Sequence, residues 1–155
     1  MRKLLILAIC LGCTLLAVAQ DKVESKWHCM KPTTEQKADI GDTAGHAYAL
    51  AQGTCNATSS SLGEKTGTFT ETQEVSTNSV SVRGRFITTT DGGDKLYYSY
   101  EGKIDPAKNT GMNKWRITGG TGKQKATKGS GTCSGTMNKD ETSDWTCTGT
   151  LSPVQ

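Results

Sequence analysis

Helical periodicity is the first thing this chain lacks. Past residue 19, no window keeps apolar residues at i, i+3, i+4 and i+7, so an amphipathic helix has nothing to bury. Histidine is scarce: His28 and His46 are the only two, too few for a histidine-rich metal site, although Asp39 and Asp42 lie near His46 in sequence. No serine sits in Gly-x-Ser-x-Gly, and no local set announces a hydrolase triad. The Gly-Lys pair at 122–123 fails as a phosphate loop. Ile117 stands where the first glycine belongs, Gln124 stands where Ser or Thr belongs, and no helical pattern follows. A solvated basic turn is the expectation there. These absences leave no catalytic residue, no metal ligand and no cofactor to assign.

The one long apolar run is at the start. Arg2 and Lys3 precede the apolar stretch Leu4–Leu16, and Ala17-Val18-Ala19 supplies small residues at a cleavage site. This is the pattern of a secretory signal peptide over residues 1–19, and the apolar run is short for a membrane span. The mature barrel domain would be residues 20–155, secreted or periplasmic. An excess of one charge then disappears as well. The 18 Lys and Arg, less Arg2 and Lys3, leave 16 against 15 acidic residues, a formal charge of +1. That balance argues against nucleic acid or an anionic membrane as partner. Cys10 and Cys13 leave with the signal, and Cys29, Cys55, Cys133 and Cys147 remain. No CxxC pair exists among them to suggest zinc. An even number in an exported small domain implies disulfides.

What is present is β-pattern. Short Thr-, Val- and Tyr-rich runs alternate with Gly, Asn and Asp turns. Strands are expected at Glu24–Lys31, His46–Asn56, Lys65–Val75, Asn78–Thr90, Asp94–Ile104, Lys114–Thr118, Gly129–Met137 and Ser143–Leu151. Pro32–Gly45 is expected to be a polar connection, with a short turn of helix near Thr34–Ala38. Cys29 and Cys55 mirror each other about Asp42, and Cys133 and Cys147 mirror about Asp140. Antiparallel hairpins centred there pair Cys29 with Cys55 and Cys133 with Cys147. The apolar fraction is low, 34% with the signal counted, so two such staples would offset a thin core. About eight sequential antiparallel strands favour an up-and-down barrel over a sandwich, since closure removes exposed edges. Glycines inside the strands suit the bends of a small barrel.

The segment Trp115-x-Ile117-x-Gly119-Gly120-Thr121-Gly122, followed by Gly129-x-Gly131, resembles the glycine-rich corner of the allene oxide cyclase and dirigent-like barrels. It is similar too to small secreted bacterial proteins of that type with no assigned activity. The resemblance covers about a tenth of the chain and implies a calycin-like, eight-stranded barrel with an apolar interior cavity. The chain departs from the pattern at Gln124, where an aromatic residue is usual, and at Ala126-Thr127. No catalytic or ligand residue of the plant enzymes transfers position by position.

Candidate ligand contacts come from the aromatic set. Trp27, Phe86, Tyr98, Tyr100 and Trp115, with Phe69 and Trp145, fall on alternating faces of the expected strands. Pointing inward, they either fill the barrel or line a pocket for one small molecule, and filling is the plainer expectation. Glu71 with Glu74, or Glu101 with Asp105, are conceivable carboxylate pairs, and surface solvation is their default. The leading expectation is a non-enzymatic module holding a small apolar or amphipathic ligand. The alternatives are a filled-core protein acting through its surface, and a cyclase- or isomerase-like enzyme.

Overall fold

A computed structural model of the chain describes residues 21–152; the expected signal segment and cleavage site fall outside the described residues. Nine strands follow one another: β1 (Lys22–Cys29), β2 (Thr34–Asp39), β3 (Ala47–Ser60), β4 (Glu64–Val75), β5 (Val80–Thr90), β6 (Lys95–Asp105), β7 (Thr110–Gly120), β8 (Gly129–Met137) and β9 (Ser143–Leu151). From β3 to β9 each strand pairs antiparallel with the next. β1 then pairs with β9 on one side and β3 on the other, closing an eight-stranded barrel. Both expected disulfides are present, Cys29–Cys55 between β1 and β3 and Cys133–Cys147 between β8 and β9. Each joins residues directly opposite in register.

One expectation fails. Pro32–Gly45 is not simply a loop, and Thr34–Ala38 is not helical. Thr34–Asp39 forms β2, running beside Ala47–Gln52 of β3. β1 and β2 follow the same side of β3 in one direction, interrupted at 30–33, where Met30 N–H donates to Thr54 O and Thr33 N–H to Gln52 O. All six residues of β2 are exposed. Nothing apolar marks its period, so the strand is specified by its partner's backbone and not by its own side chains. Its far edge is unpaired, and its polar sequence TEQKAD suits such an edge.

Alternation sorts the walls. Thr68, Thr70, Thr72, Arg83 and Arg85 point out, while Phe69, Val82 and Phe86 point in. A polar outer face and apolar inner face reverse the arrangement of lipid-facing strands. Among the described residues no helix is long and apolar enough to cross a membrane.

The two ends differ. At one end Leu96 (0% exposed) and Ile117 pack with Leu62, Leu151 and Trp115 into an apolar plug. Here lie the β5–β6 turn Asp91–Asp94 and the corner 119–128. The corner is docked on that turn: Thr121 N–H donates to Lys95 O at 2.9 Å, Lys95 N–H to Thr121 Oγ1 at 2.8 Å, and Lys123 N–H to Asp94 Oδ2 at 3.0 Å. Of the amides that invite comparison with a phosphate loop, that of Lys123 is turned to the chain's own Asp94 carboxylate, and those of Thr121, Gln124 and Lys125 donate to backbone carbonyls. Gly122 has φ +51, and a Cβ there would collide with that carboxylate. Gln124, in the place of the usual aromatic, is half-buried and accepts a hydrogen bond from Thr127 Oγ1 at 2.9 Å. The other end carries the β2–β3, β4–β5, β6–β7 and β8–β9 turns.

Candidate functional site

The inward aromatics do not fill the barrel. They surround a cavity of about 390 Å³ whose wall includes Trp27, Phe86, Tyr98, Tyr100 and Trp115, together with Phe69 and Trp145. Trp27 meets Phe86 edge-on at 4.9 Å between ring centroids, Phe86 lies 6.3 Å from Tyr98, and Tyr98 meets Trp115 edge-on at 5.8 Å. Four of the five expected contact residues therefore form a continuous aromatic file, a geometry aromatic quadrupoles favour. The disulfides look inward too: Cys29, Cys55, Cys133 and Cys147 all line the same cavity.

Glycines make room for the rings. Tyr100 lies over Gly84, its register partner on β5, and Trp145 lies over Gly135, its partner on β8. A Cβ at either glycine would overlap the ring. These glycines therefore let bulky rings lie flat against the neighbouring strand, in addition to any bend they allow.

Two carboxyl groups stand among the aromatics. Glu64, 3% exposed, accepts hydrogen bonds from Thr88 Oγ1 at 2.6 Å, Tyr98 OH at 2.7 Å and Ser60 Oγ at 2.9 Å. Glu71 accepts from Tyr100 OH at 2.5 Å and Gln73 Nε2 at 2.7 Å. Burial, with the adjacent Glu64 carboxyl second, pushes the Tyr98 phenol far above its ordinary value. Burial and then Glu71 do the same for Tyr100. Both phenols thus remain protonated donors at any physiological pH. Neither glutamate is paired with a cation among the described salt bridges.

On β7, two polar atoms have no partner. Asn113 Oδ1 and Trp115 Nε1 are buried without a hydrogen bond. Both residues line the cavity from β7, and Trp115 is Tyr100's register partner. The other two tryptophans are satisfied: Trp27 Nε1 donates to Ser25 Oγ at 2.9 Å and Trp145 Nε1 to Ser143 Oγ at 3.0 Å. Buried polar atoms are nearly always paired, so an unmatched acceptor and an unmatched donor side by side stand out.

At the end away from the plug, Met30, Pro32, Met137 and Glu141 line the cavity. Met30 and Glu141 are exposed, so the cavity meets solvent at this rim. An ion pair between Lys31 and Glu141 links the β1–β2 interruption to the β8–β9 turn across it.

The remaining sequence candidates lie elsewhere. His28 faces outward as expected and its Nδ1 meets Asp144 Oδ1 at 2.7 Å. His46 bridges Asp42, at 2.8 Å from Nδ1, and Glu74, at 3.2 Å from Nε2. Those two hydrogen bonds, Asp42's first, raise its pKa above the ordinary 6.5. Glu101 pairs with Arg83 at 3.4 Å and Asp105 with Lys108 at 2.9 Å, both on the surface. Glu71 and Glu74 do not form a pair, since Glu71 points in and Glu74 out. Among the described residues no group of three or more His, Cys, Asp or Glu could hold a metal ion.

Surface solvation of Glu71 is thus corrected. Period-two spacing from Phe69 would have placed it inside. Glu64 had no such signal. Phe69, Glu71 and Gln73 share odd parity, whereas Glu64 is even and reaches the interior only because the ladder slips between Glu64 and Thr66. No protein-family model matches the chain, and a search of curated proteins finds no match either.

Proposed function

We propose that this protein is an exported, non-enzymatic barrel of the allene oxide cyclase and dirigent-like type that holds one small apolar or amphipathic molecule inside. The observation that carries this reading is the aromatic cavity of about 390 Å³ with two unpartnered polar atoms on one wall. Its size falls within the range of small-molecule sites, and its mix of apolar surface with a few polar groups is what such sites use for affinity and orientation. The glycine corner supports the family assignment. The signal pattern, with cleavage after Ala19, and the two disulfides support secretion or a periplasmic location. Trp27, Phe86, Tyr98, Tyr100 and Trp115 form the ligand's walls.

Native mass spectrometry of protein purified from its secreting host, with organic extraction of the same sample, tests the proposal. The expected result is a stoichiometric small molecule, or saturable quenching of tryptophan fluorescence by an added apolar probe. Protein that is empty and binds no probe overturns it.

A further inference from the structure

The polar side chains around the cavity are one-sided in charge. Its wall contains no Lys, Arg or His, while Glu64 and Glu71 both reach into it. Glu64 accepts from three hydroxyl donors, two on one oxygen and one on the other. Glu71 accepts from only two donors: Tyr100 OH and Gln73 Nε2 occupy one lone pair on each oxygen, and no cation faces it. The rings of Tyr100, Trp115 and Trp145 share that cavity, and the unpartnered Asn113 Oδ1 adds another acceptor. Carboxyl, amide oxygen and aromatic faces all attract positive charge, and no cationic side chain lines the wall to pair with a negative one.

Building on the binding reading above, we propose that the cavity selects an organic cation: a protonated amine or quaternary ammonium on an apolar body, with its charged head beside Glu71. The apolar body lies along the file of Trp27, Phe86 and Tyr98 toward the plug. Trp115 Nε1 is free to donate to an oxygen on the ligand. Fatty acids and other organic anions are disfavoured, because their heads would sit unpaired beside a carboxyl group.

Phenylpropylamine, phenylpropanol and phenylpropanoate share one skeleton and differ in head charge. Each is titrated into the intact disulfide-bonded protein by calorimetry, with tryptophan fluorescence as second readout. The amine is expected to bind about tenfold or more tighter than the alcohol, and the carboxylate more weakly than either. Glu71→Gln removes the charge at the same side-chain length and is expected to bring amine affinity down to the alcohol's. Equal binding of all three, or a preference for alcohol or carboxylate, overturns the charge selection while leaving a ligand cavity in place. Failure of all three to bind, together with an empty protein from the native host, overturns the binding reading itself. Loss of alcohol binding in Glu71→Gln would mean that Glu71 shapes the site instead of selecting charge, and also counts against the inference.

Discussion

Glu64 and Glu71 lie on one strand and face one cavity, yet their surroundings are opposites. Around Glu64, near the plug, each polar atom has found a partner: Thr88, Tyr98 and Ser60 converge on the carboxyl above Leu96 and Ile117. Glu71, farther along β4 from the plug, accepts from only Tyr100 OH and Gln73 Nε2, and on β7 Asn113 Oδ1 and Trp115 Nε1 are left unmatched. A satisfied polar network stiffens a core, whereas an unsatisfied one costs stability and is retained where something else completes it. The difference separates a part of the interior whose polar groups are matched within the barrel from a part whose polar groups are not.

The comparison can be broken most forcefully at the plug. Leu96→Ala is expected to cost about 2–5 kcal/mol, measured by urea denaturation, because it empties a fully buried site. A loss below about 1 kcal/mol would mean the plug end is as loose as the rim. Replacing Cys133 and Cys147 together by Ser should cost about 2–4 kcal/mol in the same assay. Glu64→Leu strands the hydroxyls of Thr88, Tyr98 and Ser60 and is expected to cost about 2 kcal/mol or more, against about 1 kcal/mol for Glu71→Leu, which strands the less buried Tyr100 OH and Gln73 Nε2. Equal costs would erase the distinction between the two carboxyls. Asn113→Leu, of similar volume, removes an unmatched acceptor and should leave stability unchanged or raise it by about 1 kcal/mol.

The smallest expected effect lies outside the cavity. His46 ties the β2–β3 turn to β4 through Asp42 and Glu74, and these bonds raise its pKa. A raised folded value means the tether contributes fully below the ordinary 6.5 and is lost as pH climbs through the folded value. Asp42 is pulled below its ordinary 3.8, chiefly by the bond to His46, so the tether also weakens as pH falls through that lowered value. An NMR titration of the His46 ring should give a midpoint above 6.5, lowered by Asp42→Asn. An unchanged midpoint in the variant would assign the shift elsewhere.

The barrel and both staples were legible because their signals are local: turn residues, period-two alternation and cysteines mirrored about a turn. β2 was not, since its exposed side chains carry no pattern and its order comes from β3. The aromatic walls could be read from alternation, as could Glu71 by its spacing from Phe69. Glu64 could not, because one slipped residue inverts its face. Nor could the unmatched atoms of Asn113 and Trp115, since whether a polar atom has a partner depends on neighbours across the barrel.

Both disulfides face the cavity, with Cys29, Cys55 and Cys133 almost wholly buried. A reducing thiol must enter through the rim or wait for the wall to open before it can attack either sulfur pair. A molecule bound inside, as proposed, would shield the crosslinks, and the lifetime of the oxidised protein in reductant would then serve as a clock for occupancy.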